Sequence, residues 1–354
     1  MLWNNNTGLI GVDIGTHAVK LAQVERRANR FTLRAAAVIL RRDPWNADNW
    51  LSAAPRSSAE EIISARLLGG GFAGRQAACV LPMAVCDVRG MQIQAGDAAE
   101  QRASIEGELR SVWGNGNQFI FDSWSVPPMG ALIPHDVNVL STSLNWSDRL
   151  ALDHRQSKLT CRVMDGLPLA LSRAIRLTAD GPAKSLVAAL DWGFEHATFC
   201  LIRDGQPVFV RCFRDAGFQK VIDAICRSLA VTVAEAHQIL SKHGLPESTS
   251  SDNEVQQLIA DVVADAIDGL SAELIRTLTF LRPNLRNELP SRLWLFGGGT
   301  SVKRIDQVLT ERAELPVEIW QPQLNSVADS LGAHCPLSLL GPAIALSMLA
   351  WEKR

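Results

Sequence analysis

The sequence predicts an α/β protein built from two related lobes, and three features predict it. A strand, a glycine turn and a second strand open the chain, and the same pattern returns near its middle. Strand-like and helix-like segments alternate through the remainder, and a late strand runs into a triple-glycine turn. The first opening is Leu9-Ile-Gly-Val-Asp13-Ile-Gly15-Thr-His-Ala-Val-Lys20-Leu, and the second is Leu186-Val-Ala-Ala-Leu-Asp191-Trp-Gly193-Phe-Glu-His-Ala-Thr. Asp13 and Asp191 stand 178 positions apart, about half of the 354-residue chain. Each opening continues through a polar turn into a third strand, Phe31–Leu40 and Val208–Phe213.

Between the two openings, Ala59–Leu68 reads as a helix capped by Gly69-Gly-Gly71. Ala77–Val88 reads as a strand broken by Pro82, and 97–113 as a helix rich in Glu, Arg and Ala. Phe119–Leu144 reads as extended strands around prolines. The strand Lys158–Val163 then leads into an amphipathic helix from Asp165 to Thr178. After the second opening, Phe218–Ala230, Val233–Lys242 and Asn253–Arg282 form a helical block. Ser291–Phe296 is a strand entering Gly297-Gly-Gly299-Thr-Ser, followed by a helix over Val302–Glu311 and a strand over Leu315–Trp320. Gly341–Trp351 closes the chain as a helix.

Composition excludes several classes. Apolar residues make up 47% and charged residues 20%, a globular balance, and a net charge of −2 without a basic stripe gives no nucleic-acid footprint. The seven cysteines (79, 86, 161, 200, 212, 226 and 335) are scattered without a CxxC pair, which fits a reducing compartment better than a disulfide framework or a zinc site. The seven histidines (17, 135, 154, 196, 237, 243 and 334) show no metal-ligand spacing. The N-terminus lacks a signal-peptide pattern, and the longest apolar run, Leu339–Trp351, is too short to span a bilayer, so a protein that stays inside the cell is expected.

The turns suggest chemistry. A carboxylate at the end of a buried strand, beside a glycine turn, suits a hydrated metal–phosphate ligand: the acid holds a metal-bound water and the turn's N–H groups form an anion nest. Asp13 and Asp191 are therefore the candidate metal residues. Gly15, Thr16, His17 and Lys20, with Gly193 opposite, are the candidate phosphate-side residues. Gly297, Gly298 and Gly299 would let backbone approach a flat ligand closely. No Walker loop is present, and the glycine run Gly69-Gly-Gly71-Phe-Ala-Gly74 reads as a helix cap followed by a loop rather than a dinucleotide turn.

These residues resemble the actin/heat-shock/sugar-kinase superfamily, and most closely its PilM-like pilus-assembly branch. The resemblance rests on Gly11-Val-Asp-Ile-Gly-Thr with Val19-Lys20-Leu21, on Phe296-Gly-Gly-Gly-Thr, on Val80-Leu-Pro-Met, on Val163-Met-Asp165-Gly-Leu-Pro and on Gly341-Pro-Ala-Ile-Ala-Leu-Ser-Met-Leu. It covers most of the chain and is weakest over 97–160. It implies an actin-like two-lobed fold of duplicated ribonuclease-H-like domains. The first lobe would be 1–184 plus 325–354, with an inserted subdomain at about 80–135. The second would be 185–324, with a helical insert at about 231–282. It also implies ATP with Mg²⁺ as the ligand of the cleft. The protein would then be a cytoplasmic platform under the inner membrane, holding the N-terminal tail of a bitopic, PilN-like membrane protein, in pilus assembly or the related type II secretion. Self-association is a further option the resemblance allows.

Departures from the family's pattern lower the expectation for the nucleotide. His17 is bulky where small polar residues are usual, and Trp192 and Phe194 flank Gly193, either crowding the phosphate path or packing behind it. His237 and Leu240 stand where the family places a Glu and a Lys near the ribose. Weak ATP binding and little or no turnover are expected. The alternative, a small-molecule kinase on the same fold, needs a general base, for which Asp165 is the nominee, and a polar cleft loop, which 41–60 does not clearly supply. The expected peptide groove lies along Gln76–Ile93, with Val80, Leu81, Val85, Asp87 and Arg89 as its contacts, because an extended peptide can add to a strand edge.

Overall fold

Strand β1 (Ile10–Ile14) is buried along its whole length, as an apolar strand with neighbours on both sides must be. The computed structural model describes residues 6–27, 30–42, 57–93, 96–114, 116–127, 136–178, 186–247, 253–285, 288–326 and 336–352. Strands β2 (Ala18–Arg27) and β3 (Arg30–Leu40) follow β1 as an antiparallel meander. On its other side β1 pairs in parallel with β4 (Gln76–Leu81), which pairs in parallel with β8 (Thr160–Gly166). A short β14 (Asn325–Ser326) extends the far edge, giving the order β14-β3-β2-β1-β4-β8.

The second sheet repeats this plan. Strands β9 (Val187–Trp192), β10 (Ala197–Arg203) and β11 (Gln206–Phe213) form the meander, and β12 (Leu293–Phe296) and β13 (Val317–Ile319) add in parallel beyond β9. The order is β11-β10-β9-β12-β13. Three antiparallel strands extended by two parallel ones occur in both sheets, so the half-length sequence repeat is a repeat of topology.

Helices cover both sheets. In the first lobe α1 (Ala59–Leu68) packs on β2 and β3. The helices α4 (Leu167–Ile175) and α9 (Gly341–Ser347) share one core with Trp294, Phe296 and Trp320 of the second sheet. Gly11 makes this packing possible: a Cβ there would stand 1.9 Å from the Ala343 carbonyl oxygen of α9. The second lobe carries α5 (Gln219–Leu229), α6 (Val233–Lys242), α7 (Glu254–Asn284) and α8 (Ile305–Ala313) over a core that includes Trp192, Phe199 and Phe218. Among the described residues, no helix is long and apolar enough to cross a membrane.

A third, smaller sheet lies in the chain between β4 and β8. It holds β5 (Cys86–Met91), β6 (Phe119–Ser125) and β7 (Val137–Ser143) in the order β5-β7-β6. Helix α2 (Ala98–Trp113), started by an Asp97/Glu100 capping box, closes a core of Met91, Ile105, Leu109, Val137 and Val139 over it.

Three local expectations change. The strand expected over 77–88 is two strands, because after β4 Pro82 opens a 3₁₀ turn at Met83–Val85 and β5 begins only at Cys86. The helix expected from Asp165 starts at Leu167, with Pro168 in its first turn, and Asp165 instead ends β8. A helix that the sequence reading left out, α3 (Leu144–Gln156), follows β7 and buries Trp146 and Leu150. Most of the 41–60 stretch, together with His135, His334 and Cys335, lies outside the described residues.

Candidate functional site

The two hairpin turns and the triple-glycine turn meet in one cleft between the lobes, with a volume of about 770 Å³. Asp13, Gly15, Thr16, His17 and Lys20 line it from the first lobe; Asp191, Gly193, Gly297 and Gly298 line it from the second. Gly299 sits behind the wall, where a Cβ would meet the Trp192 ring at 2.0 Å. This convergence follows from topology. In each lobe the acid stands at the end of the central strand, β1 or β9, and the two strand ends face each other.

The first turn closes tightly, Gly15 N–H donating to Ala18 O at 2.9 Å. It is braced by a residue that sequence reasoning missed. Buried Arg41 donates Nε–H to Gly15 O at 2.8 Å and Nη2–H to Ser58 Oγ at 2.9 Å, and its own N–H reaches His17 O at 2.9 Å. Burial brings its guanidinium down to about 10, with Glu61 and Asp153 opposing. The signal was slight: an arginine following a partly buried strand is no more than a candidate for a buried pair.

Charge in the cleft is already paired. Lys20 Nζ lies 2.6 Å from Asp13 Oδ2. Burial pushes the Asp191 carboxyl up to about 6, with Lys20 pulling it down and Asp13 pushing it up. Asp13, Asp191 and Lys20 therefore stand close together in the cleft, and an added cation would have to compete with Lys20 for Asp13.

The two aromatics flanking Gly193 divide between the alternatives. Trp192 packs behind the path: it is 1% exposed and its indole N–H donates to Ala216 O at 3.0 Å. Phe194 lies in the cleft, stacked on His17 of the opposite turn with centroids 3.9 Å apart and planes 13° apart. His237 of α6 continues the group at 6.1 Å from His17. Among the described residues, neither ring nitrogen of His17 has a hydrogen-bond partner. Burial, with His237 adding to it, lowers His17 to about 4, so the ring is neutral and stacks as an aromatic.

The stack bridges the two turns across the cleft, from His17 of the first to Phe194 of the second, and Asp13 is held by Lys20. The ribose side is without the family's charged pair. Leu240 is fully buried in the second-lobe core, while Glu235 caps α6 through Thr232 and Lys242 lies exposed at its end. Gln238, Ser241 and Ser301 also line the cleft.

Asp165 is not placed for base catalysis. It lies in a buried ion pair with Arg173 at 2.7 Å, accepts the Gly166 N–H at 2.9 Å, and does not line the cleft. The groove nominees also separate. Val80, Leu81 and Val85 are 2%, 5% and 9% exposed and belong to the first-lobe cores, so they are packing residues rather than free contacts. Asp87 and Arg89 are partly exposed on β5 and paired to each other. Among the described residues β5 pairs only with β7, which leaves its other edge unpaired, and Met83 and Ala84 beside it line the cleft.

No family model matches the sequence. The structure is similar to a chain of the PilM–PilN type IV pilus biogenesis complex, with a TM-score of 0.78 and 20% identity, over 98% of this chain and 99% of that one. It is also similar to the ethanolamine utilization protein EutJ from Carboxydothermus hydrogenoformans, at 0.56 and 13% over 96% and 89% of the two chains. The activator of the 2-hydroxyisocaproyl-CoA dehydratase from Clostridium difficile, solved with bound ADPNP, matches at 0.51 and 10% over 97% and 94%. At these identities the likeness is one of fold. The fold is the actin-like, two-lobed one, in agreement with the resemblance carried by the sequence.

Proposed function

We propose that the protein is a PilM-like assembly scaffold that captures the N-terminal tail of a bitopic, PilN-like membrane protein and turns over little or no ATP. The observation that carries this reading is the end-to-end match, at a TM-score of 0.78, to a protein solved as a PilM–PilN complex. The tail would add to the free edge of β5 through main-chain hydrogen bonds, its side chains reaching the apolar cleft mouth at Met83 and Ala84. The lobes would correspond to 1–184 plus 325–354 and to 185–324, and the protein would sit at the inner membrane through its partner.

The His17–Phe194 stack supports a binding role over a kinase role, because it bridges the two turns that would hold the phosphates. Asp165, committed to Arg173, supplies no general base. Calorimetry of the full chain against a synthetic N-terminal tail of a bitopic, PilN-like membrane protein should show binding, and phosphate release from ATP should stay at background. Absence of tail binding, together with ATP-dependent phosphorylation of a small-molecule acceptor, would overturn the proposal.

A further inference from the structure

The first lobe gathers a ligand set that the sequence scatters over 83 positions, from Cys79 to Cys161. Cys79 Sγ, Cys161 Sγ and a ring nitrogen of His154 lie within 4.8 Å of one another. Cys79 belongs to β4 and Cys161 to β8. Cys161 pairs with Ala77, which shares a strand face with Cys79, so the two thiols lean together diagonally across the ladder. His154 arrives from α3, whose Leu150 shares the core beneath.

The imidazole is oriented as a ligand. Its Nδ1 lies 2.7 Å from Leu150 O, and a carbonyl can only accept, so the proton is on Nδ1 and Nε2 carries a lone pair. His154 is 0% exposed, and among the described residues Nε2 has no hydrogen-bond partner. A backbone carbonyl on one ring nitrogen, fixing the other for a metal, is the usual outer arrangement of metal-bound histidine. The sulfurs are 3.7 Å apart. Two thiolates at about 2.3 Å from a tetrahedral zinc stand about 3.8 Å apart, so the observed pair is spaced for the ion without moving. A disulfide would require the sulfurs to close to about 2.05 Å and would still leave Nε2 unpartnered.

We infer that Cys79, His154 and Cys161 form a binding site for one Zn²⁺ ion. The two thiols lose their protons to the medium on binding. The site has a structural logic. Cys79 precedes the inserted sheet in the chain, and His154 and Cys161 follow it, so the ion clamps the two strands from which the insert departs. One residue before His154, Asp153 accepts the Ser58 N–H at 2.7 Å, and Ser58 holds Arg41, the brace of the first turn. The clamp and the cleft thus share one helix.

The test uses the full chain under reductant, stripped by chelator and titrated with Zn²⁺ and with Co²⁺. One equivalent of each should bind, and cobalt should show thiolate charge-transfer and tetrahedral d–d bands. Cys161→Ser and His154→Gln should each weaken zinc roughly 100-fold or more, since even outer-sphere changes cost about 10–100-fold. Should either variant fail to fold, mass-spectrometric alkylation of the wild type decides. Zinc must protect Cys79 and Cys161 while leaving Cys226 reactive. No metal uptake, equal alkylation of Cys161 with and without zinc, or recovery of a Cys79–Cys161 disulfide from reduced preparations would each overturn the assignment.

Discussion

If the His17–Phe194 stack closes the phosphate gap, removing either ring should improve nucleotide binding, the reverse of what deleting a site residue normally does. The rings face each other at 3.9 Å between centroids, one from each lobe, and a triphosphate held by both turns must separate them. A stacked pair is worth about 0.5–1.5 kcal/mol beyond its buried area. That energy is subtracted from the affinity of any ligand that must break the stack. At about 1.4 kcal/mol per tenfold, Phe194→Ser should tighten Mg²⁺–ATP binding by roughly two- to twelvefold. His17→Ser should do the same, and the double variant should match either single one, because one stack is lost in each case. Titration calorimetry at neutral pH on the four proteins measures this directly. Tight binding by the wild type that weakens in both variants would refute the reasoning, since the rings would then be contacting the nucleotide.

Three further outcomes are expected. Because burial holds His17 near 4 against an ordinary 6.5, the unfolded chain takes up the proton first as pH falls. Thermal stability should therefore decline as pH falls from about 6.5 toward 4, and His17→Asn should flatten part of that slope in melting curves; an unchanged slope would place the titration elsewhere. Arg173→Met leaves the Asp165 carboxylate buried without its partner and should cost about 3–5 kcal/mol in urea unfolding, whereas an unchanged midpoint would return Asp165 to candidacy as a catalytic group. Arg89→Glu, on the exposed side of β5, should leave the melt intact but weaken tail capture, while Val85→Asp should lower the melt itself; capture that survives every surface change along β5 would move the groove elsewhere.

The sequence by itself determined the fold and the meeting of the turns. Strand–turn–strand units with a carboxylate at the strand end are local patterns, set by burial periodicity and by glycine. Their repetition at half-length implied two lobes with facing strand ends. Asp13, Asp191 and Gly297–Gly298 accordingly meet at the cleft. The triple-glycine turn is expected to let backbone approach a flat ligand; what only the structure shows is that Gly299 lies against the Trp192 ring.

What only the tertiary structure decided is which side chain meets which. Phe194 faces the cleft and Trp192 the core because β9 ends at Trp192: two positions apart they would share a face in a continuing strand, but Phe194 lies in the turn beyond Gly193, and their identities alone could not say where the strand stops. Val80, Leu81 and Val85 have the composition of a groove, but β4 lies between β1 and β8 and buries the first two, and Val85 of the following 3₁₀ turn packs into the first-lobe core. Asp165 has the look of a helix cap or a base until Arg173, eight residues on, is found beside it. The cysteines were read as unrelated because ligand motifs in sequence report local spacing. Cys79, His154 and Cys161 instead come together through a parallel strand ladder and a helix, and no short-range pattern records long-range contacts of that kind.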